Sequence, residues 1–235
     1  QEISLLERLI KHGVSTARYS VYYGQGRDQY DTEPGRTTHE AIFNTNDGQF
    51  RCPNSQQGFS GFTTWTRGLA WAITGFAEEL EFLELLSDEE IEPFGGREKI
   101  NSIFLKAAHA TSSFYINNTP ADGIPYWDTG APGLSKLPTD YLERKSDPYN
   151  EHEPVDSSAA AIAAQGLIRL GQFLGEEGTR YTKAGITIAK SLFSEPYLSM
   201  DPDHHGLILH SIYHRPNDWD YVPDGSKIPN GESSM

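Results

Sequence analysis

Five side chains between positions 39 and 71 carry most of the chemistry this chain can offer: His39, Gln57, Trp65, Arg67 and Trp71. An indole stacks on the apolar face of a ring, and a guanidinium pairs a carboxylate through parallel hydrogen bonds. The amide of Gln57 bridges two hydroxyls, and an imidazole gives or takes a proton near neutral pH. Gln57, Arg67 and Trp71 together would read an acidic sugar. Trp65, Arg67 and Trp71 stand where an apolar helix opens, in "SQQGFSGFTTWTRGLAWAITGFAEEL". A core helix needs the leucines of that stretch but not the arginine, and a solvent helix gains little from two indoles.

At 100° per residue, Leu69, Ile73, Phe76, Leu80 and Leu83 form one narrow stripe over a helix of about 64–86. Arg67, Trp71 and Thr74 fall on the opposite face, with Gly68 and Gly75 leaving room there for a guest. The competing reading of the same face is a surface cation–π pair, Arg67 over Trp71, worth about 0.5–1 kcal/mol. Trp65 falls back towards the stripe and is equally explained by packing. Taken alone, His39 is most simply a strand histidine satisfied by a loop carbonyl.

The elements that must position these groups are helices. Apolar spacing predicts them at about 2–19, 64–86, 97–116, 157–174 and 177–195. Asp156 is placed to cap the fourth helix at its start and Gly175 at its end, and Pro196 stops the fifth. Asp47-Gly48, within "TNDGQF" just after "THEAIFN", predicts the tight turn of a β-hairpin, and the alternation in "HHGLILHSIYHR" (204–215) predicts a short strand. Asp128, in "YWDTG", is expected in a loop beside a cleft. Long Gly/Pro- and aromatic-rich connections between helical hairpins describe an all-α toroid, its functional loops gathered at one end.

Composition limits the partners. The formal charge of −14 over 235 residues argues against a nucleic-acid or anionic-membrane partner, and no run of 18 apolar residues is present. The single Cys52 has no disulfide partner and no zinc-ligand neighbours, and His204-His205 point apart rather than at one ion. No metal or organic cofactor is expected.

The blocks "QGFSGFTTWTRGLAWAITGFA", "DGIPYWDTGAP", "DSSAAAIAAQGLIRL", "GLILHSIYHRP" and "PNGESSM" resemble, in order, motifs of the unsaturated glucuronyl hydrolases, glycoside hydrolases built as (α/α)6 barrels. Leu69, where the family more often has glutamine, and Gln56, where histidine is common, depart from the pattern. The resemblance implies hydration of the C4=C5 vinyl ether of an unsaturated uronic acid at the non-reducing end of a small acidic oligosaccharide left by a polysaccharide lyase. It further implies substrate binding by Gln57, Trp65, Arg67 and Trp71, a carboxylate held by Ser233 and Ser234, a supporting role for His39, and a bacterial cytoplasmic or periplasmic setting.

The family's catalytic aspartates map upstream of Gln1. The chain is therefore expected to be a single domain, the C-terminal part of an α/α barrel, without its own acid. A non-catalytic carbohydrate-binding protein of the same fold and a rhamnogalacturonyl hydrolase are the alternatives.

Overall fold

The computed structural model describes residues 3–229. The helix α1 (Leu5–Tyr19) starts on Ser4, whose hydroxyl accepts the Glu7 amide at 3.2 Å, and turns Ile10, Gly13 and Ala17 inward. The hairpin follows where Asp47-Gly48 predicts it. Strands β1 (Glu40–Phe43) and β2 (Phe50–Asn54) pair antiparallel, Glu40 opposite Asn54, with an irregularity after Ile42. Gly48 turns at a φ of 67°, and the Asp47 carboxylate accepts the Gln49 amide. Tyr19 lies against Phe43 and Phe50, which fixes the hairpin to the end of α1.

Helix α2 (Thr66–Leu83) buries the whole expected stripe, Leu69, Ile73, Phe76, Leu80 and Leu83. A short α3 (Asp88–Ile91), begun by a capping box between Ser87 and Glu90, was not foreseen. Helix α4 (Arg97–Asn117) turns Ile100, Phe104, Ala107, Thr111 and Phe114 inward, one face at helical spacing, and sets Phe104 against Phe76. Helix α5 (Ser157–Leu174) begins on Asp156, and α6 (Thr179–Leu192) follows a 3-10 turn at Gly175–Gly178. The fourth and fifth predicted helices are thus found within a few residues of their expected ends.

The helices α2 and α5 lie side by side at the centre, α4 packs behind α2, α6 behind α5, and α1 against α4. One apolar core runs through all five longer helices. Among the described residues the predicted strand at 204–215 is not formed as a continuous element. The segment includes an isolated bridge between Leu198 and Ile208, and a 3-10 turn follows at Arg215–Asn217. It crosses the mouth of the helix pair, and Ser199 N donates to Leu207 O while Leu209 N donates to Tyr197 O.

Close approach of α2 and α5 depends on Gly166. A Cβ there would stand 2.7 Å from the backbone nitrogen and Cα of Thr74, too close for either helix to stay in place. Gly166→Ala is expected to push the two helices apart and cost about 1–3 kcal/mol, read as a lowered melting temperature. An unchanged melting temperature would show that α2 and α5 separate freely.

Candidate functional site

The N-termini of α2 and α5 open at the same end of the molecule because one extended segment, 125–129, is threaded between them. The Thr66 amide and hydroxyl donate to the carbonyl of Trp127 at 3.1 Å each, and the hydroxyl also reaches that of Tyr126 at 2.9 Å. On the other side Trp127 N donates to Pro154 O, and Asp156 N donates to Pro125 O. Asp128 belongs to this seam. It is wholly buried, accepts the amides of Phe59 (2.8 Å) and Gly130 (2.9 Å), and burial raises its pKa. The loop position expected for Asp128 is therefore correct, but its carboxyl braces the loop and does not line the cavity.

Between the two helix starts lies a cavity of about 540 Å³. Gln57, Trp65, Arg67 and Trp71 line it together, joined by Ser157 and Ile162 of α5 and by Leu207, Ile208, Ser211 and Tyr213 of the crossing segment. The sequence reading missed the lining from α5 and from 207–213. No periodicity could have found it, since those residues meet the cavity only through the threaded segment. Among the described residues no Asp or Glu lines this cavity. Ser233 and Ser234 lie outside the described residues, and no group of His, Cys, Asp and Glu among the described residues could hold a metal ion.

Trp71 is where the helical wheel puts it, 58% exposed, with Gly75 open beside it. Arg67 and Thr74 are not. Helix α5 covers that side of α2, so Thr74 is buried and its hydroxyl donates to the Ile162 carbonyl at 2.8 Å. Arg67 lines the cavity but is only 5% exposed, and its Nε donates to Asp156 Oδ2 at 3.0 Å. The Nη2 lies 3.0 Å from the same oxygen without hydrogen-bond alignment. The expected free guanidinium is thus a buried ion-pair partner, and the indole nearest it is Trp65, at 5.5 Å, rather than Trp71.

Asp156 serves two helices. Its Oδ1 accepts the amides of Ser158 and Ala159 and the Ser158 hydroxyl, which caps α5, while Oδ2 holds Arg67. Trp65 is both packing and lining. It is buried with Trp127, Ala131 and Ile212, and its ring lies 4.6 Å from that of His39.

His39 Nδ1 accepts the backbone amides of Gln56 and Gln57, each at 3.2 Å. A ring nitrogen that accepts carries no proton, so the imidazole is neutral with its hydrogen on Nε2. Burial lowers its pKa and favours the same state. Gln57 in turn donates through Nε2 to the Tyr213 carbonyl at 3.4 Å.

Trp71 also borders a second cavity of about 330 Å³ between α1 and α2, shared with His12, His39 and Glu79. Burial pushes the Glu79 pKa up to about 7. A carboxyl raised in the folded state stabilises it while protonated, and that stability is lost as pH rises from about 4.5 to about 7. Thermal melts of the protein should therefore fall across that window, and Glu79→Gln should flatten the fall. A slope left unchanged by Glu79→Gln would remove Glu79 as its source. Arg67→Ala should cost about 3–5 kcal/mol, because it strands the Asp156 charge in the interior. A melt matching the wild type would show that Asp156 is not stranded.

No protein-family model matches the chain. It is 28% identical over 183 residues to an unsaturated glucuronyl hydrolase of Formosa agariphila, covering 77% of this chain and 36% of the relative. The crystal structure of the unsaturated glucuronyl hydrolase of Bacillus sp. GL1 superposes with a TM-score of 0.63 at 25% identity, covering 87% of this chain and 44% of that one. Another solved relative, described with the sugar chain dGlcA-Glc-Rha-Glc, gives a TM-score of 0.62 at 26% identity, covering 86% and 43%. The chain is therefore similar to the unsaturated glucuronyl hydrolases in sequence and shares their helical toroid fold, over a stretch that spans less than half the length of these relatives.

Proposed function

We propose that this chain forms the substrate-binding part of a glycoside hydrolase that acts on an unsaturated uronic acid at the non-reducing end of a lyase-generated oligosaccharide. The observation that carries the reading is the convergence of Gln57, Trp65, Arg67 and Trp71 on one cavity of about 540 Å³. Its size suits a sugar ring or two, and its apolar walls leave a few polar groups to orient the ring. Trp71 supplies the stacking surface. Gln57 reaches from the loop that also fixes the His39 tautomer, so the neutral imidazole is ready to donate through Nε2.

The chemistry in this reading is hydration of the C4=C5 double bond. A carboxylic acid protonates C4, water adds at C5, and the hemiketal so formed opens and releases the next sugar. This differs from displacement between two carboxylates at an acetal carbon. The described residues would bind and orient the substrate in that sequence. With no Asp or Glu among those lining the cavity, they do not supply its proton. That same observation favours, as the second reading, a carbohydrate-binding protein of this fold that holds the sugar without turnover.

One assay separates the two readings. An unsaturated glucuronyl disaccharide loses its ultraviolet absorbance when the double bond is hydrated, because hydration removes the alkene conjugated with the carboxylate. Loss of absorbance with the full-length protein to which this chain would belong supports the hydrolase, binding without loss by that protein supports the binding protein, and neither binding nor loss sinks both. Trp71→Ala is expected to weaken binding about two- to tenfold, from the lost stacking contact of about 0.5–1.5 kcal/mol, while its melt stays near the wild type because the ring is largely exposed. Wild-type affinity in that variant would move the sugar off the Trp71 face.

A further inference from the structure

Two buried polar groups in the cavity lining have no aligned hydrogen-bond partner. Ser157, the first residue of α5, lines the cavity and is 0% exposed, and its Oγ has no hydrogen-bond partner. The Arg67 Nη2 is likewise buried without an aligned acceptor. A buried hydroxyl left unpaired is costly, so its presence in a cavity wall calls for a partner that arrives with the ligand.

The surroundings specify that partner. The guanidinium charge of Arg67 is already balanced by Asp156. The first amides of α5 are also occupied: Ser157 N donates to the His210 carbonyl, and Ser158 N and Ala159 N donate to Asp156 Oδ1. The helix start therefore has no positive end left to give, and a second carboxylate would lie beside the buried Asp156. A neutral hydroxyl meets no such penalty. Its oxygen accepts from Arg67 Nη2, and it exchanges a hydrogen bond with Ser157 Oγ, which can donate or accept.

Building on the sugar-binding reading above, we infer that Ser157 and Arg67 together form a subsite for a ring hydroxyl of the sugar, and that the sugar carboxylate is held elsewhere. Ser157 is then a binding residue that neither its type nor its place at a helix start singles out. Asp156 is a positioning residue, which balances the Arg67 charge so that its remaining N–H acts as a directional donor rather than a charge reader.

The test is calorimetric titration of the wild-type protein and Ser157→Ala with an unsaturated glucuronyl disaccharide and with its uronic methyl ester, beside thermal melts of both proteins. Ser157→Ala should weaken both ligands by the same factor, about three- to tenfold for one neutral hydrogen bond. Its melting temperature should hold or rise, since the lost hydroxyl satisfied nothing in the free protein. Unchanged affinity overturns the inference, as does a markedly lowered melting temperature, which would give the hydroxyl a structural partner. A loss confined to the acid also overturns it, because the subsite would then read the carboxylate. If the wild type binds neither saccharide, the sugar-binding reading itself fails and takes this subsite with it.

Discussion

The carboxylate of Asp156 is the joint on which the central helix pair and the cavity both rest. Its two oxygens face different elements: one closes the start of α5, the other holds the arginine in the first turn of α2. Two charges taken out of water this completely are stable only while each satisfies the other and the remaining lone pairs find donors. Here they do, with the two amides and the hydroxyl that cap α5. The pair adds little net stability over an apolar substitute, but it allows one relative placement of the two helix starts. A shift of either helix would break a buried charge pair, not merely a methyl contact.

The segment threaded between those starts makes the placement three-dimensional. Backbone bonds run from it to α2 through Thr66 and to the approach of α5 through Pro154 and Asp156. Trp127, on this segment, packs with Trp65, and its indole nitrogen donates to the buried Glu153 at 2.7 Å. Glu153 accepts the Gly133 amide in return, so the next loop is fixed as well. The cavity walls are consequently held by backbone and buried polar groups rather than by mobile loop tips. That is the condition for a site that orients a ring without first reorganising.

Much of this was legible in the sequence where one element alone decides the outcome. The buried stripe of α2, the inward face of α4, the Asp156 cap and the Asp47-Gly48 turn each follow from spacing or from one residue's local chemistry. The failures share a cause. A helical wheel puts Arg67, Trp71 and Thr74 on one face, but it cannot say which neighbour covers that face or how far. The contact at Gly166 brings α5 over Arg67 and Thr74 and stops short of Trp71. The alternation in 204–215 suggested a strand, although alternation only marks a segment with one side covered. Of the substrate residues implied by the resemblance, the four lining the cavity are neighbours in space. His39 is close by, against Trp65, on the side of the second cavity.

Charge sets the last constraint. A protein of net charge −14 repels an acidic sugar at long range, yet at physiological salt that field decays over about 8 Å. What counts is the charge within that distance of the bound ring. The described lining holds one cation and no anion, and the cation's charge is already spent on Asp156. The described part of the cavity is therefore close to electrically neutral, which makes it tolerant of an acidic guest without attracting it. In the proposed sugar-binding reading, affinity from these residues would come from stacking on Trp71 and from directional bonds to Gln57, Ser157 and Arg67. Such contacts depend weakly on salt, whereas recognition through a free guanidinium would weaken steadily as salt is added. Under the proposed reading, a cavity of this kind would select the shape and hydroxyl pattern of a sugar ring before its charge.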